Sequence, residues 1–174
     1  MSEVRVRPAM PTDAVTIRDL VEPYANHERH ILIPRDLVGY YEDILEFVIA
    51  EVPDGEGWKA VGCGALHIMW QHLGEVRTLA VHGDHLRQGV GHAVLERLLE
   101  RARELQLREV FCLTFEVDFF RSHGFDVVEG PVVEPEVFLE LLRSYDNGVA
   151  EFLDLARVKP NTLGNTRMLL RLTD

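Results

Sequence analysis

Apolar residues repeat at two different spacings along the chain, and the spacing separates strands from helices. Alternating or continuous apolar runs predict strands at residues 4–8, 46–52, 58–69, 75–81, 108–115, 125–128 and 167–172. Apolar positions three and four residues apart predict helices from 12 or 13 to 24 and at 36–44, 91–105, 117–123 and 135–145. The predicted order up to residue 128 is β, α, α, β, β, β, α, β, α, β.

This pattern predicts an α/β fold with a central sheet flanked by helices. A turn-forming cluster, 53–57, joins the second and third strands as a hairpin. The run at 108–115 is almost entirely apolar, which is typical of a strand that is covered on both faces. At 174 residues and 47% apolar content, the chain is long enough for one core and too short for two ordinary domains. A single domain, 1–174, is therefore expected.

The charge balance limits the classes of partner. A net charge of −11 with a pI near 5.1 opposes the basic surface that a nucleic acid needs. No apolar run reaches the roughly 18 residues of a membrane span, and no signal-peptide pattern opens the sequence. Cys63 and Cys112 each stand inside an apolar run, which predicts buried, reduced thiols and a cytoplasmic protein.

The segment 74–91 is the most informative part of the sequence. A strand passes through a glycine-containing turn into an amphipathic helix that begins near Gly91. The first backbone N–H groups of a helix have no intrahelical partner, and the helix dipole adds positive charge there, so a phosphate can bind. Because the whole chain is acidic, nearby arginines must supply the attraction, and Arg77, Arg87 and Arg121 are the candidates. The segment predicts a phosphorylated cofactor.

Two common phosphate-binding motifs are excluded by the spacing of the glycines. A P-loop requires G-x-x-x-x-G-K-[ST], and no such run exists in the sequence. A dinucleotide fingerprint requires a third glycine at position 94, where Val94 stands, and it belongs to successive parallel βαβ units. Here strands in hairpin connection precede the helix, which leaves an acyl-CoA-binding motif.

The residues of this segment resemble the GNAT acetyltransferase superfamily. Gly89-Val90-Gly91 matches the second half of its signature Q/R-x-x-G-x-G/A, although Leu86 stands at the first position. Residues 119–125, F-F-R-S-H-G-F, look like the family's F-Y-x-x-x-G-F. The resemblance implies the GNAT fold, a mixed and mostly antiparallel sheet splayed between strands 4 and 5, with acetyl-CoA as cosubstrate.

A narrower resemblance is to N-acetylglutamate synthase, in its short stand-alone actinobacterial form. It covers C-G-A-L at 63–66, I-L-I-P-R at 31–35 and T-R-M-L at 166–169, with further likeness at 144–146 and 159–161. The resemblance implies direct attack of the α-amine of L-glutamate on acetyl-CoA in a ternary complex. The products are N-acetylglutamate and CoA, and the reaction is the first step of arginine biosynthesis.

The same resemblance and the strand geometry suggest the site residues. Glu75 is the predicted general base, on the strand face that it should share with Arg77 and Leu79. Substrate carboxylates call for arginines. The resemblance implies Arg35 for this role, strand geometry suggests Arg77, and Arg167 is a third candidate. The residues predicted to contact the cofactor are Leu79, Ala80, Val81, Arg87, Gln88, Gly89, Val90, Gly91, His92 and Phe120.

Two features of the reaction are left open by the sequence. Phe120 stands where many relatives have a tyrosine that acts as general acid, so CoA leaves as a thiolate or Tyr145 supplies the proton. Relatives that bind the substrate side chain with an arginine after the fifth strand differ here at 115–116, Phe-Glu. The choice between glutamate, glutamine and another acceptor therefore stays open.

No metal is predicted, because His27 and His30, like His82 and His85, lack the spacing of the H-E-x-x-H motif. Two other functions fit the sequence: acetylation of a different amine, and a sensor that binds acyl-CoA without turnover. The predicted partners are small-molecule substrates, without nucleic acid or membrane, and a homodimer is compatible with the sequence.

Overall fold

A computed structural model of the chain describes residues 3–25, 31–130, 132–153 and 164–173. The histidine pair at 27 and 30 and the segment 159–161 lie outside the described residues. The strands are β1 (Arg5–Pro8), β2 (Phe47–Asp54), β3 (Gly57–Trp70), β4 (Leu73–Val81), β5 (Glu109–Thr114), β6 (Asp126–Val127) and β7 (Thr166–Arg171). The helices are α1 (Ala14–Ala25), α2 (Leu37–Glu42), α3 (Val90–Glu104), α4 (Val117–Ser122), α5 (Pro135–Leu141) and α6 (Asn147–Phe152).

The strands form one seven-stranded sheet in the order β1-β2-β3-β4-β5-β7-β6. Every neighbouring pair is antiparallel except β4 and β5, which are parallel. A parallel pair needs a crossover connection, and α3 supplies it. The predicted mixed, mostly antiparallel sheet is therefore confirmed.

Helices cover both faces of the sheet. α3 and α4 pack on one face, where Leu95 and Leu98 of α3 are fully buried against β2, β3 and β5. The opposite face carries two separate apolar clusters. One lies under α1 and α2, and the other lies under α5 and α6 around Phe111 and Phe152. The strip of β4 between these two clusters carries polar residues, and there the cavity described below opens.

The helix α3 follows directly from its sequence. Six apolar residues at helical spacing face the sheet and are buried: Val90, Val94, Leu95, Leu98, Leu99 and Ala102. Gly62 of β3 lies so close beneath this helix that a Cβ there would stand 2.7 Å from a Val90 methyl group. The start of α3 is thus packed firmly onto the sheet.

The structure differs from the predicted elements mainly after residue 128. The predicted helix 135–145 ends at Leu141, and a further helix, α6, follows after a short turn. Asp146 accepts a hydrogen bond from the Val149 backbone N–H at 2.9 Å, as an N-terminal capping residue does. In the part of the chain that the structure describes, no helix combines the length and apolar character needed to cross a membrane.

Candidate active site

The strands β4 and β5 diverge in the middle of the sheet. They pair over three positions that end at Glu75 and Phe111, and both strands continue beyond that point without pairing. The backbone of β4 from Arg77 onward therefore has a free edge toward β5 among the described residues. This divergence confirms the splay that the family resemblance implies, and it places Glu75 at its apex.

A cavity of about 500 Å³ opens over this strip of β4, on the sheet face opposite α3. Its walls are the segment 31–36 and helix α2 on one side and residues 145–147 on the other, with 75–78 of β4 and Leu113 of β5 also lining it. Glu75, Arg77 and Arg35, which were predicted from distant parts of the sequence, all line this one cavity. Five carboxylates line it too: Asp36, Glu42, Asp43, Glu75 and Asp146.

A β-bulge at Thr78 changes which face each side chain of β4 takes. Arg77 pairs with Ala65 while Ala80 pairs with Cys63, so β4 has one extra residue, and Thr78 has a φ of 58°. The prediction that Leu79 shares a face with Glu75 is therefore wrong. Leu79 instead packs on the α3 side of the sheet.

One predicted backbone contact for the cofactor is already occupied. The Val81 carbonyl accepts a hydrogen bond of 2.5 Å from the Tyr24 hydroxyl at the end of α1. Ala80 is buried in the cluster under α1 and α2. The unpaired edge of β4 that is available to a ligand therefore lies nearer to the bulge than to the end of the strand.

Glu75 is buried and forms an ion pair with Arg77. Arg77 donates to Glu75 Oε2 from Nε at 3.0 Å and from Nη2 at 2.7 Å. Its third nitrogen, Nη1, donates to both carboxylate oxygens of Asp146, at 3.0 and 3.2 Å. Glu75 Oε1 has no hydrogen-bond donor among the described residues, so one oxygen of the carboxylate is left for a ligand or water.

Burial sets the protonation behaviour of these acids. Burial raises the pKa of Glu75, and the charge and hydrogen bonds of Arg77 oppose that rise without cancelling it. Burial also acts to raise the pKa of Asp146, but Arg77 and the Val149 N–H outweigh it, and the net pKa is lowered. The Asp146 side chain is 26% exposed and that of Glu75 only 3%, which accounts for the opposite directions. Glu75 is the carboxylate whose pKa lies closer to neutrality.

Both cavity arginines are engaged by protein groups. Arg77 is saturated by Glu75 and Asp146, so the structure gives it a role in holding those carboxylates in addition to lining the site. Arg35 pairs with Asp43, donates to the Gly39 carbonyl and lies 5.3 Å from the ring centroid of Tyr40. A substrate carboxylate would have to share either arginine with these partners.

The third predicted arginine is placed differently. Arg167 of β7 donates to the Gly130 carbonyl at 2.9 Å and to the Phe152 carbonyl at 2.6 Å, and it is not among the residues that line the cavity. Phe152 is the last residue of α6, where carbonyl groups need donors and favour a cation. Arg167 therefore holds the end of α6, and its role in substrate binding stays a prediction. Tyr145, the alternative acid, is 99% exposed at the cavity wall.

Sequence reasoning missed the polar residues that surround Glu75. Asp146 carried a capping signal, since an Asp stands three residues before Val149, but nothing linked it to Arg77. His67 lies directly across from Glu75 in the β3–β4 register, and its Nδ1 lies 2.7 Å from Glu46 Oε1. Glu46 Oε2 is buried without a hydrogen-bond partner among the described residues. No spacing in the sequence relates these residues, because the sheet register brings them together.

The phosphate-binding prediction corresponds to an open helix start. Gly89 is the N-cap of α3 with a φ of 84°, and Arg87 also has a positive φ of 60°. The Ala93 N–H donates to the Gly89 carbonyl, so the N–H groups before it belong to the unpaired first turn. A Cβ built on Gly89 would meet nothing within 4 Å, which leaves open space beside these donors.

The remaining residues that were predicted to contact the cofactor have different positions in the structure. Gln88 donates its side chain to the Asp84 carbonyl at 2.8 Å and stabilises the turn, while the Val90 side chain is in the core and contributes only its backbone. Phe120 is buried against Phe125, so its ring serves the core. The aromatic ring next to the loop is that of Phe119, 3.6 Å from a Cβ built on Gly91.

His92, in the first turn of α3, belongs to a cluster that the sequence did not indicate. Its Nδ1 lies 2.6 Å from Nε2 of His123, at the end of α4. Glu96 is one helical turn further along α3. The three side chains offer ligand atoms that all lie within 4.8 Å of one another.

Comparison with known proteins gives consistent results. The profile of the Acetyltransferase (GNAT) family matches residues 15–125. The chain is 55% identical over 165 residues to an amino-acid acetyltransferase of Mycobacterium tuberculosis, covering 95% of this chain and 92% of that protein. It is 32% identical to an amino-acid acetyltransferase of Aeromonas salmonicida, covering 74% of this chain and 28% of that protein.

Solved structures agree with these sequence matches. Rv2747 from Mycobacterium tuberculosis, solved in complex with CoA and NLQ, superimposes with a TM-score of 0.92 at 54% identity, covering 97% of this chain and 99% of that one. N-acetylglutamate synthase from Neisseria gonorrhoeae, complexed with coenzyme A and N-acetyl-glutamate, has the same fold, with a TM-score of 0.75 at 23% identity over 36% of its length. From its sequence match and its splayed β4–β5 sheet, the chain belongs to the GNAT acetyltransferase family.

Proposed function

We propose that the protein transfers the acetyl group of acetyl-CoA to the α-amine of glutamate or glutamine, as the first step of arginine biosynthesis. The 55% identity to an amino-acid acetyltransferase and the solved complexes of relatives with CoA support this activity. The amino acid would occupy the cavity on one sheet face, and CoA would enter over the start of α3. Buried, unpaired Cys63 and Cys112 fit a reducing, cytoplasmic setting.

The observation that carries the proposal is the position of Glu75. Its Oε1 is free at the apex of the splay, within a cavity large enough for an amino acid, and burial raises its pKa. Glu75 accepts a proton from the substrate ammonium, directly or through one water. The amine nitrogen then attacks the thioester carbon, the C–S bond breaks, and CoA leaves as thiolate, while the second proton of the new amide nitrogen passes to water. A thiol titrates near roughly 8.5, so departure without a general acid is chemically reasonable.

Acetyl-CoA, the acetyl donor, is held mainly by backbone groups of the protein. The unpaired N–H groups at the start of α3 hold the pyrophosphate of CoA, and the exposed Arg87 adds positive charge there. The free edge of β4 beside the bulge pairs with the pantetheine amides. N–H groups at the same edge are the candidates for stabilising the oxyanion of the tetrahedral intermediate.

The charges of the cavity favour an acceptor with an uncharged side chain. Among the described residues that line the cavity, two arginines face five carboxylates, and Arg77 already satisfies Glu75 and Asp146. The excess of acid attracts the substrate ammonium, and Arg35 can accept the α-carboxylate by sharing with Asp43. A second carboxylate would find no free counter-charge among these described residues, and that costs free energy. Glutamine should therefore be the better substrate, by about tenfold in kcat/KM or more.

The decisive experiment measures thiol release from acetyl-CoA by the purified chain with each of the twenty amino acids. We expect turnover with glutamine and glutamate and little with the others, and mass spectrometry should find the N-acetyl product. Turnover with neither amino acid, together with acetylation of a peptide N-terminus, would reassign the acceptor. Tight acetyl-CoA binding without release of CoA with any amine would indicate a sensor.

A further inference from the structure

We propose that His92, Glu96 and His123 form a binding site for a divalent transition-metal ion such as Zn²⁺, which joins α3 to α4. None of the three residues lines the acceptor cavity, although His92 lies in the first turn of α3, beside the proposed pyrophosphate site. Two imidazoles and one carboxylate form a common zinc ligand set, with water completing a tetrahedron. His92 is exposed, so an ion and its water can reach the site.

The hydrogen bonds of His123 fix its tautomer. Its Nδ1 lies 2.8 Å from the Phe119 carbonyl oxygen, which can only accept, so Nδ1 carries the proton. The lone pair is then on Nε2, which points at His92. An imidazole that donates one N–H to a backbone carbonyl and presents its other nitrogen is the arrangement found at most metal sites. His123 is therefore already oriented as a ligand.

The other two ligands come from one face of α3. His92 and Glu96 are four residues apart, which places both side chains on the same side of the helix. His92 Nδ1 now donates to His123 Nε2 at 2.6 Å. An ion replaces that proton when His92 changes to its Nε2–H tautomer, so neutral imidazole is kept and no redox step is involved.

The change in geometry that binding requires is small. Zn–N bonds of about 2.0–2.1 Å at a tetrahedral angle place two nitrogens roughly 3.3 Å apart. The nitrogens of His92 and His123 would need to separate by about 0.7 Å from their present contact. A change of side-chain torsion achieves this without moving α3, whose opposite face is packed on the sheet.

Zn²⁺ titration of the tag-free full chain by calorimetry tests the site, with Co²⁺ as a spectroscopic probe. We expect one equivalent of Zn²⁺ to bind, the Co²⁺ form to show the visible absorption of a tetrahedral ion, and the melting temperature to rise with Zn²⁺. His123→Asn should weaken Zn²⁺ binding at least about tenfold, and Glu96→Gln should weaken it as well. Asn can still donate to the Phe119 carbonyl, so the α4 end should stay folded.

The control is the double variant His82→Asn/His85→Asn, which removes the other neighbouring histidine pair of the described residues. It should bind Zn²⁺ as the wild type does. The proposal is overturned if the wild type takes up no stoichiometric Zn²⁺, or if His123→Asn binds as tightly as the wild type. Loss of binding in the double variant would overturn it too, and unchanged affinity in Glu96→Gln would contradict a three-ligand site.

Discussion

Arg77 contacts Glu75 through two nitrogens that both point at one oxygen, Oε2, at 2.7 and 3.0 Å. This arrangement differs from a parallel fork, in which each nitrogen would take its own oxygen. It fixes the orientation of the carboxylate and leaves Oε1 without a protein donor among the described residues. Arg77 is therefore best described as a positioning residue for the proposed base.

Replacing Glu75 with glutamine should lower kcat by about 10²–10⁴-fold, because the amide keeps the shape and cannot take a proton. The KM for acetyl-CoA should change little, since Glu75 lies away from the start of α3. Initial-rate kinetics of thiol release measure both values. Glu42→Gln is the matched control, as it makes the same change in an exposed residue of the same cavity. Equal kcat in the wild type and Glu75→Gln would remove Glu75 from the mechanism.

Two neighbours of Glu75 should shift the pH profile in opposite directions. Arg77 lowers the pKa of Glu75 and Asp146 raises it. Arg77→Gln should therefore move the acid limb of kcat/KM to higher pH. Asp146→Asn should move it to lower pH by a smaller amount.

The acid limb is measured from pH 5 to 9 with a saturating concentration of acetyl-CoA. Circular dichroism at each pH separates a changed pKa from unfolding, which matters because Arg77→Gln leaves a buried carboxylate without its cation. If the acid limb of kcat/KM moves in the same direction in both variants, that limb does not reflect the titration of Glu75.

The start of α3 can be tested with two glycines of similar backbone conformation. Gly89 has a φ of 84° and Gly55, in the β2–β3 hairpin, a φ of 61°, and an added Cβ meets nothing within 4 Å at either. Replacing either glycine with alanine should lower the free energy of unfolding by about 1 kcal/mol. Only Gly89→Ala should raise the KM for acetyl-CoA, by about tenfold, because its methyl group would occupy the phosphate cradle.

Urea unfolding and initial-rate kinetics of both variants measure these effects. A KM for acetyl-CoA that is unchanged in Gly89→Ala, with the expected loss of stability, would place the pyrophosphate elsewhere.

Acid should destabilise the protein through a charge cluster at the β1–β2 edge. Arg7 pairs with Asp13 and Glu51 at 2.8 and 2.9 Å. Hydrogen bonds from Arg7 lower the pKa of Asp13, although burial acts in the opposite direction. Burial acts to raise the pKa of Glu51, but the hydrogen bonds and charges of Arg7 and Arg5 outweigh it, and the net pKa is lowered. Both folded pKa values are depressed, so this stabilisation is present above the ordinary values of 3.8 and 4.5 and is lost as the pH falls below them.

Arg7→Leu should accordingly lower the free energy of unfolding at pH 7 by about 1–2 kcal/mol, a value reduced for partial exposure. The difference from the wild type should shrink toward pH 3. Urea denaturation at several pH values measures it, with Arg18→Leu as control, since that arginine pairs with exposed Asp19 and should show no measurable change. Parallel pH curves for Arg7→Leu and the wild type would contradict the assignment.

The sequence predicted what depends on local pattern. The strand-turn-helix junction at Gly89, the buried face of α3 and the position of Glu75 on β4 all follow from spacing within one segment. What the sequence could not predict depends on a single extra residue or on distant pairing. The bulge at Thr78 reversed the face of Leu79, since side chains alternate with a period of two.

Long-range pairs were invisible for the same reason. Asp146 meets Arg77 across 69 residues and His123 meets His92 across 31, and neither pair has a fixed spacing that a motif could express. The arginines Arg35, Arg77 and Arg167 were predicted as binders of the substrate carboxylates. In the structure Arg167 donates to backbone carbonyls. The largely buried Arg77 donates to two protein carboxylates, because a buried guanidinium must satisfy its own donors.

The divergence of β4 from β5 has a kinetic consequence. It places the helix start that would hold CoA on one face of the sheet and the cavity proposed for the amino acid on the other. Neither molecule has to pass through the entrance of the other. On the proposed function, double-reciprocal plots for the two substrates should intersect. CoA should compete mainly with acetyl-CoA, and the N-acetyl product should compete mainly with the amino acid.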